Sequence, residues 1–154
     1  MNPSMLAGLL KRAYPKFDMT TFSNRLKLQK FVYLLQRSGM SLGYDFYWYL
    51  YGPYSTELTR DAFQIENFDK IEPMRFPEAE IETKFSNFID KLGQLKDDDK
   101  WMEIASSIDI LRSLYPNKSK QQIIKEIEQK QEYFKGKEKF IEKVWDDLET
   151  IGLK

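Results

Sequence analysis

The chain has 154 residues, 42% of them hydrophobic and 31% charged, which suits one soluble domain large enough to bury a core. It holds no Cys and no His. Disulfides, thiol nucleophiles and thiolate metal sites are therefore excluded, and the commonest metal ligand and near-neutral general base are missing. Lys+Arg and Asp+Glu balance at 24 each, yet residues 1–60 carry eight basic and three acidic side chains, leaving 16 basic and 21 acidic for 61–154. That asymmetry is either an accident of solvated helix faces or a basic N-terminal surface that meets an acidic partner. No run of about 18 apolar residues is present, so no membrane span is expected. The basic residues of the N-terminal MNPSMLAGLLKRAYPK follow a very short apolar run, unlike a secretory signal. The reading is a cytoplasmic protein without cofactor or metal, and not an enzyme.

In chain order, residues 4–14 read as a short helix, ended by Tyr14-Pro15 because a proline disfavours helical geometry in the residue before it. Thr20 to Ser23 offers caps for a second helix over about 23–38. Leu28, Phe31, Val32 and Leu35 form its stripe, but Leu26, Tyr33 and Leu34 lie off it, so this helix should be buried on more than one side. Its charges, Arg25, Lys27, Lys30 and Arg37, are all basic, and Gly39 suits its C-terminal end.

The stretch Gly43–Ser55, GYDFYWYLYGPYS, holds seven aromatics. Residues 46–51 alternate with period two, which predicts a strand with Phe46, Trp48 and Leu50 toward the core and Tyr47, Tyr49 and Tyr51 on a half-wet face. Gly52-Pro53 should stop that strand, and Ser55 should cap the next helix, over about 55–67. Lys70-Ile71-Glu72 reads as a short second strand, kept to an edge by Pro73.

Pro77 suits the first turn of a helix carrying Ile81, Phe85, Phe88, Ile89, Leu92 and Leu95. Asp97-Asp98-Asp99 breaks it and caps the next, with Trp101, Ile104, Ala105, Ile108, Leu111 and Leu114. Ser119 to Gln122 reads as a capping box ahead of Ile123, Ile124 and Ile127. A last helix carries Phe140, Ile141, Val144, Trp145, Leu148 and Ile151 and stops at Gly152. The expected fold is mainly α, six or seven helices with a small two-stranded β element, in a single domain. Residues 1–76 form its mixed half with the aromatic corner, and 77–154 its all-helical half.

For function, Tyr47, Tyr49, Tyr51 and Tyr54 are candidates for a recognition surface, since Tyr gives large contact area at low entropic cost. The alternative is that the rings pack under the flanking helices. Lys30 and Arg37 join them as partner-binding candidates, against the reading that they merely edge a buried helix. A winged-helix-like DNA binder is a second possibility, with the helix after Ser55 as recognition helix and a wing carrying Arg75. The mixed charge of Glu57, Arg60, Asp61 and Glu66 counts against it. Acid-x-Lys triplets at Glu82, Asp98 and Glu128 echo some metal-dependent nucleases but sit on or beside helices.

Three pieces together resemble a known family: LKLQKFVYLLQ at 26–36, GYDFYWYLYGPYSTEL at 43–58 followed by Arg60-Asp61, and WMEIA at 101–105 with Lys130 and a final Leu148-x-x-x-Gly152-Leu153. This looks like the YwgA-type group of bacterial and archaeal proteins, related more remotely to the SocA-like, or Panacea, antitoxin domain. The chain departs from the pattern at Phe31, where such motifs tend to have Leu. The resemblance implies a mainly helical domain with a small β element. For the SocA-like branch it implies direct binding of a toxin protein, in some cases as an adaptor for a protease. It brings no catalytic residues. The functional expectation is therefore a non-enzymatic protein-binding module of the antitoxin type, its partner a protein such as a toxin or protease.

Overall fold

Local chemistry sets the helix ends. Asn2 Oδ1 accepts the Met5 N–H at 2.8 Å and Pro3 occupies the first turn, which starts α1, Pro3–Ala13. Thr21 caps α2, Phe22–Arg37, and Ser55 caps α3, Thr56–Phe63. Asp98 accepts the N–H groups of Lys100 and Trp101 to open α5, Asp99–Leu114, the role expected of the triple Asp. Ser119 and Gln122 close the expected capping box of α6, Lys120–Lys130, and Gly152, at φ +95°, ends α7, Glu138–Ile151. The computed structural model describes residues 1–153 and contains seven α-helices, the remaining one being α4, Ala79–Leu92. It also contains one antiparallel hairpin, β1, Tyr47–Tyr49, with β2, Gly52–Tyr54.

Two helices carry the core. On α5 every residue from Trp101 to Leu111 is buried, and α2 buries Leu26 and the run Leu28–Leu35. They pack on each other, β2 lies against both, and α6 and α7 cover the far side of α5. The core draws on both halves of the chain, from Leu6 to Leu153. The expectation of an α2 buried on more than one side holds. Among the described residues no helix is long and apolar enough to cross a membrane.

Four local expectations change. The aromatic stretch is not one strand but a hairpin: Tyr47 pairs with Tyr54, Trp48 with Pro53 and Tyr49 with Gly52, with Leu50-Tyr51 as the turn. Gly52 therefore starts a strand rather than ending one. Phe46 and Trp48 are half-buried against the core as expected, but Leu50 sits at the turn and is 62% exposed. The second strand is 52–54, not 70–72. Phe68–Lys70 is a 3-10 turn, and the chain beyond it runs extended along α1, where Met74 N–H bonds to Gly8 O at 2.9 Å. Gly8 permits this approach, since a Cβ there would lie 2.7 Å from that of Met74. The segment proposed as a DNA-binding wing is thus bound to α1, without a strand of its own. Third, α3 ends at Phe63, four residues early.

Lastly, Pro77 precedes α4 by two residues, because the chain before that helix is held from the side. The Arg12 guanidinium makes a bidentate pair with Glu82, both bonds 2.7 Å, and also donates to Met74 O at 3.2 Å. Glu82 Oε1 in turn accepts the Phe76 N–H at 2.9 Å. These bonds, the Arg12 ones first, hold the Glu82 carboxyl below the usual carboxylate range. A carboxyl lowered on folding stabilises above its unfolded pKa of about 4.3, and that contribution fades as pH falls through the lower folded value. Glu82→Gln is expected to cost about 1–2 kcal/mol at pH 7 and progressively less below pH 4.5. Urea titrations of both proteins at pH 7 and about pH 3.5 measure it. A pH-independent difference would show that the loop is not held by this pair.

Candidate functional site: an aromatic cleft beside the hairpin

The hairpin is fixed in place by polar side chains of α2. Gln29 accepts the Ser55 N–H at 2.8 Å and donates to Ser55 O at 2.9 Å and to Thr59 Oγ1 at 2.8 Å. Thr59 then donates to the Tyr54 hydroxyl at 2.8 Å. One turn on from Tyr33, Gln36 accepts from the N–H groups of Leu42 and Tyr44 and donates to Tyr44 O. Between them Lys30 Nζ donates to Pro53 O at 2.7 Å.

The turn itself has an unusual assignment of roles. A two-residue hairpin loop of the primed types needs positive φ within the loop. Among the described residues only Asn67 among non-glycines has positive φ, so Leu50 and Tyr51 do not supply it. Gly52, directly after them, does, at φ +95°. A Cβ on Gly52 would also lie 2.5 Å from Ser107 Oγ of α5. That hydroxyl is fully buried and has no hydrogen-bond partner. Gly52 thus meets two demands, a left-handed backbone and a close approach to α5.

Between the hairpin, the first turns of α2 and the end of α3 lies a cleft of about 290 Å³. Tyr49, Tyr51 and Tyr54 form one wall, Phe22 and Leu26 another, and Phe63 closes the α3 side. The rings lean on each other edge-on or tilted: Phe22 on Tyr51 at 5.0 Å, Tyr49 on Tyr54 at 5.8 Å, Tyr47 on Tyr54 at 6.5 Å. Yet Phe22, Tyr47, Tyr49, Tyr51 and Phe63 remain 46–62% exposed. The rings are not packed beneath the flanking helices.

The structure brings the four predicted tyrosines together and separates the two predicted cations. Lys30 lines the cleft from below but is 2% exposed, so it does not stand on the surface where a partner-contacting basic residue was expected. Arg37 is at the other end of α2. There its Nε donates to Asp109 Oδ2 at 2.7 Å, an oxygen that also accepts from Tyr33. The proposed nuclease carboxylates are likewise engaged elsewhere: Glu82 with Arg12, Asp98 as a helix cap, and Glu128 with the Gly136 N–H. Among the described residues no three Asp or Glu side chains converge to hold a metal ion.

Burial sets the chemistry of Lys30. It pushes the ammonium down to about 7, and the charge of Glu103 on α5 opposes that shift. Burial also raises the Glu103 carboxyl, against the pull of Lys30 and a 2.6 Å bond from Gln131. Sequence reasoning missed Glu103, Ser107, Gln131 and Gln29. For Gln29, Glu103 and Ser107 the available signal was a polar residue set within otherwise apolar turns of a buried helix, where each must find a partner; Gln131, just past the end of α6, carried none. Comparison of the chain with family models, with curated proteins and with solved structures returned no match.

Two outcomes follow from this geometry. Gly52→Ala is expected to destabilise by about 2–4 kcal/mol, from backbone strain and overpacking. In a Ser107→Ala background the penalty should shrink, because the 2.5 Å conflict is removed while the strain stays. Equal penalties in the two backgrounds, from denaturant melts, would refute the close approach. For Lys30, the unfolded group titrates near 10.4 and the folded one near 7. The unfolded state therefore binds more protons across that window, and this group makes stability rise with pH through it. Wild type should gain up to about 2 kcal/mol more than Lys30→Met between pH 7 and pH 9. Parallel stability–pH curves would show that Lys30 folds fully charged.

Proposed function

We propose that this chain is a protein-binding module that works without catalysis, and that the aromatic cleft is its recognition surface. The observation that carries the reading is the grouping of half-exposed rings around one concave apolar site. Single exposed apolar side chains are ordinary, but a contiguous patch with a cleft in it marks a contact surface. Tyrosine suits such a surface because two torsions place a large amphipathic ring, and truncation of such anchors costs most at interfaces.

The finer reading follows the sequence resemblance: an antitoxin-like neutraliser of the SocA-like kind, or an adaptor that presents a bound protein to a protease, working in the cytoplasm. The excess of basic side chains over residues 1–60 supports steering toward an acidic partner. Its test starts with a nuclease-treated, tagged pull-down to obtain a stoichiometric partner, followed by calorimetry on the purified pair. Tyr49→Ala and Tyr51→Ala are each expected to weaken binding about tenfold or more, with far-UV circular dichroism unchanged because both side chains are half-exposed. Unchanged affinity in both variants would remove the cleft as the recognition surface.

A further inference from the structure

We propose that the occupant of the cleft is a segment of the partner chain in which an apolar side chain stands beside an Asp or Glu carboxylate. This rests on the reading of the cleft as a protein-binding surface. Two basic side chains line the cleft, Arg25 and Lys30, of which only Arg25 is not fully buried; no Asp or Glu lines it. Among the described residues neither takes part in an ion pair. In a chain with as many acids as bases, an arginine without an acidic partner in an apolar cleft leaves a charge for a ligand to match.

The geometry divides their work. Arg25 donates one Nη1 bond, 2.8 Å, to Met19 O, and its side chain makes no other hydrogen bond among the described residues. Met19 lines the same cleft, so the bond orients the guanidinium there while leaving most of its five donors available. A planar fork of this kind takes a carboxylate through two parallel bonds, which a lysine cannot reproduce. Lys30 lies deeper, is committed to Pro53 O and has Glu103 as its charged neighbour, so contact with a ligand carboxylate falls to Arg25. The volume, about 290 Å³, is near the lower limit for ligand pockets and accommodates one or two side chains rather than a whole helix. An apolar side chain against Leu26, Tyr54 and Phe63 uses the walls, and an adjoining carboxylate reaches Arg25. A basic segment in the same place would set like charges together in a partly desolvated site.

The test uses the full chain and a random-peptide display library. Sequences selected on the wild-type protein are synthesised in pairs, one with its Asp or Glu and one with the matching amide, and titrated by fluorescence anisotropy. The expected result is that selected peptides place an acid next to an apolar residue. Replacement by the amide should lose about 10–100-fold in affinity for wild type, with the loss largely abolished for Arg25→Met and intermediate for Arg25→Lys. Acid and amide peptides of equal affinity would overturn the proposal, as would a loss undiminished by Arg25→Met. The peptide arm needs no protein variant, so a poorly folded Arg25→Met does not block the decision. Peptides that depend on Tyr49 but ignore the acid would overturn this proposal and leave the protein-binding reading standing. A selection with no peptide dependent on Tyr49, Tyr51 or Arg25 would overturn both.

Discussion

The fold depends on what α2 does with its buried polar groups. An apolar helix running through a core is commonplace, but α2 also carries Gln29, Lys30, Tyr33 and Gln36 inward. Each must be satisfied, because an unpaired polar group in the interior costs about as much as a good hydrogen bond gives. Tyr33 donates to Asp109 of α5; for Gln29, Lys30 and Gln36 the solution is to use the backbone of residues 42–55 as the partner. Every such bond ties an irregular segment to the most buried pair of helices. A three-residue hairpin would be marginal by itself; here it is held by the side chains of Gln29, Lys30 and Gln36.

The same arrangement explains why the cleft exists. The hairpin is pinned by its β2 side and by the chain entering β1, so its turn and the rings of Tyr47, Tyr49 and Tyr51 stay half-exposed. Gly52 brings β2 within contact of α5, and Phe22 and Phe63, near the ends of two helices, flank what is left open. The polar groups beneath the rings are not neutral in their effect. Lys30, with Glu103 across the interface, places ionisable groups where burial works against both of their charges.

Much of the helical architecture was legible because it is written in short range. Caps at Asp98 and Ser119, the stop at Tyr14-Pro15 and the period of α7 are each set by residues within a turn or two. The hairpin was misread because the period-two pattern of 46–51 runs straight through its turn, and neither Leu50 nor Tyr51 is a turn-forming residue type. The positive φ that makes the turn lies one residue later, on a glycine that also looks like a terminator. Lys30 was misplaced for a related reason. Helical position put it at the border of the apolar stripe, and only the carbonyl of Pro53, 23 residues away, decides that it goes inside. The clustering of the tyrosines was legible because composition alone singles them out, whereas Arg25, a single basic residue among four on its helix, carried no such mark.

One feature of the hairpin bears on kinetics. Because its backbone is fastened through Gln29, Lys30 and Gln36, the wall of the cleft would, on the proposed protein-binding reading, not have to be assembled when a partner arrives. The ordering entropy of that wall is spent on folding, so on that reading encounter would lead to docking without a slow closing step. The corollary is a narrow tolerance. A wall that cannot rearrange selects by shape, and variation in partner choice among chains built this way would have to come from exchanging the rings and the Arg25 position rather than from a loop that adapts.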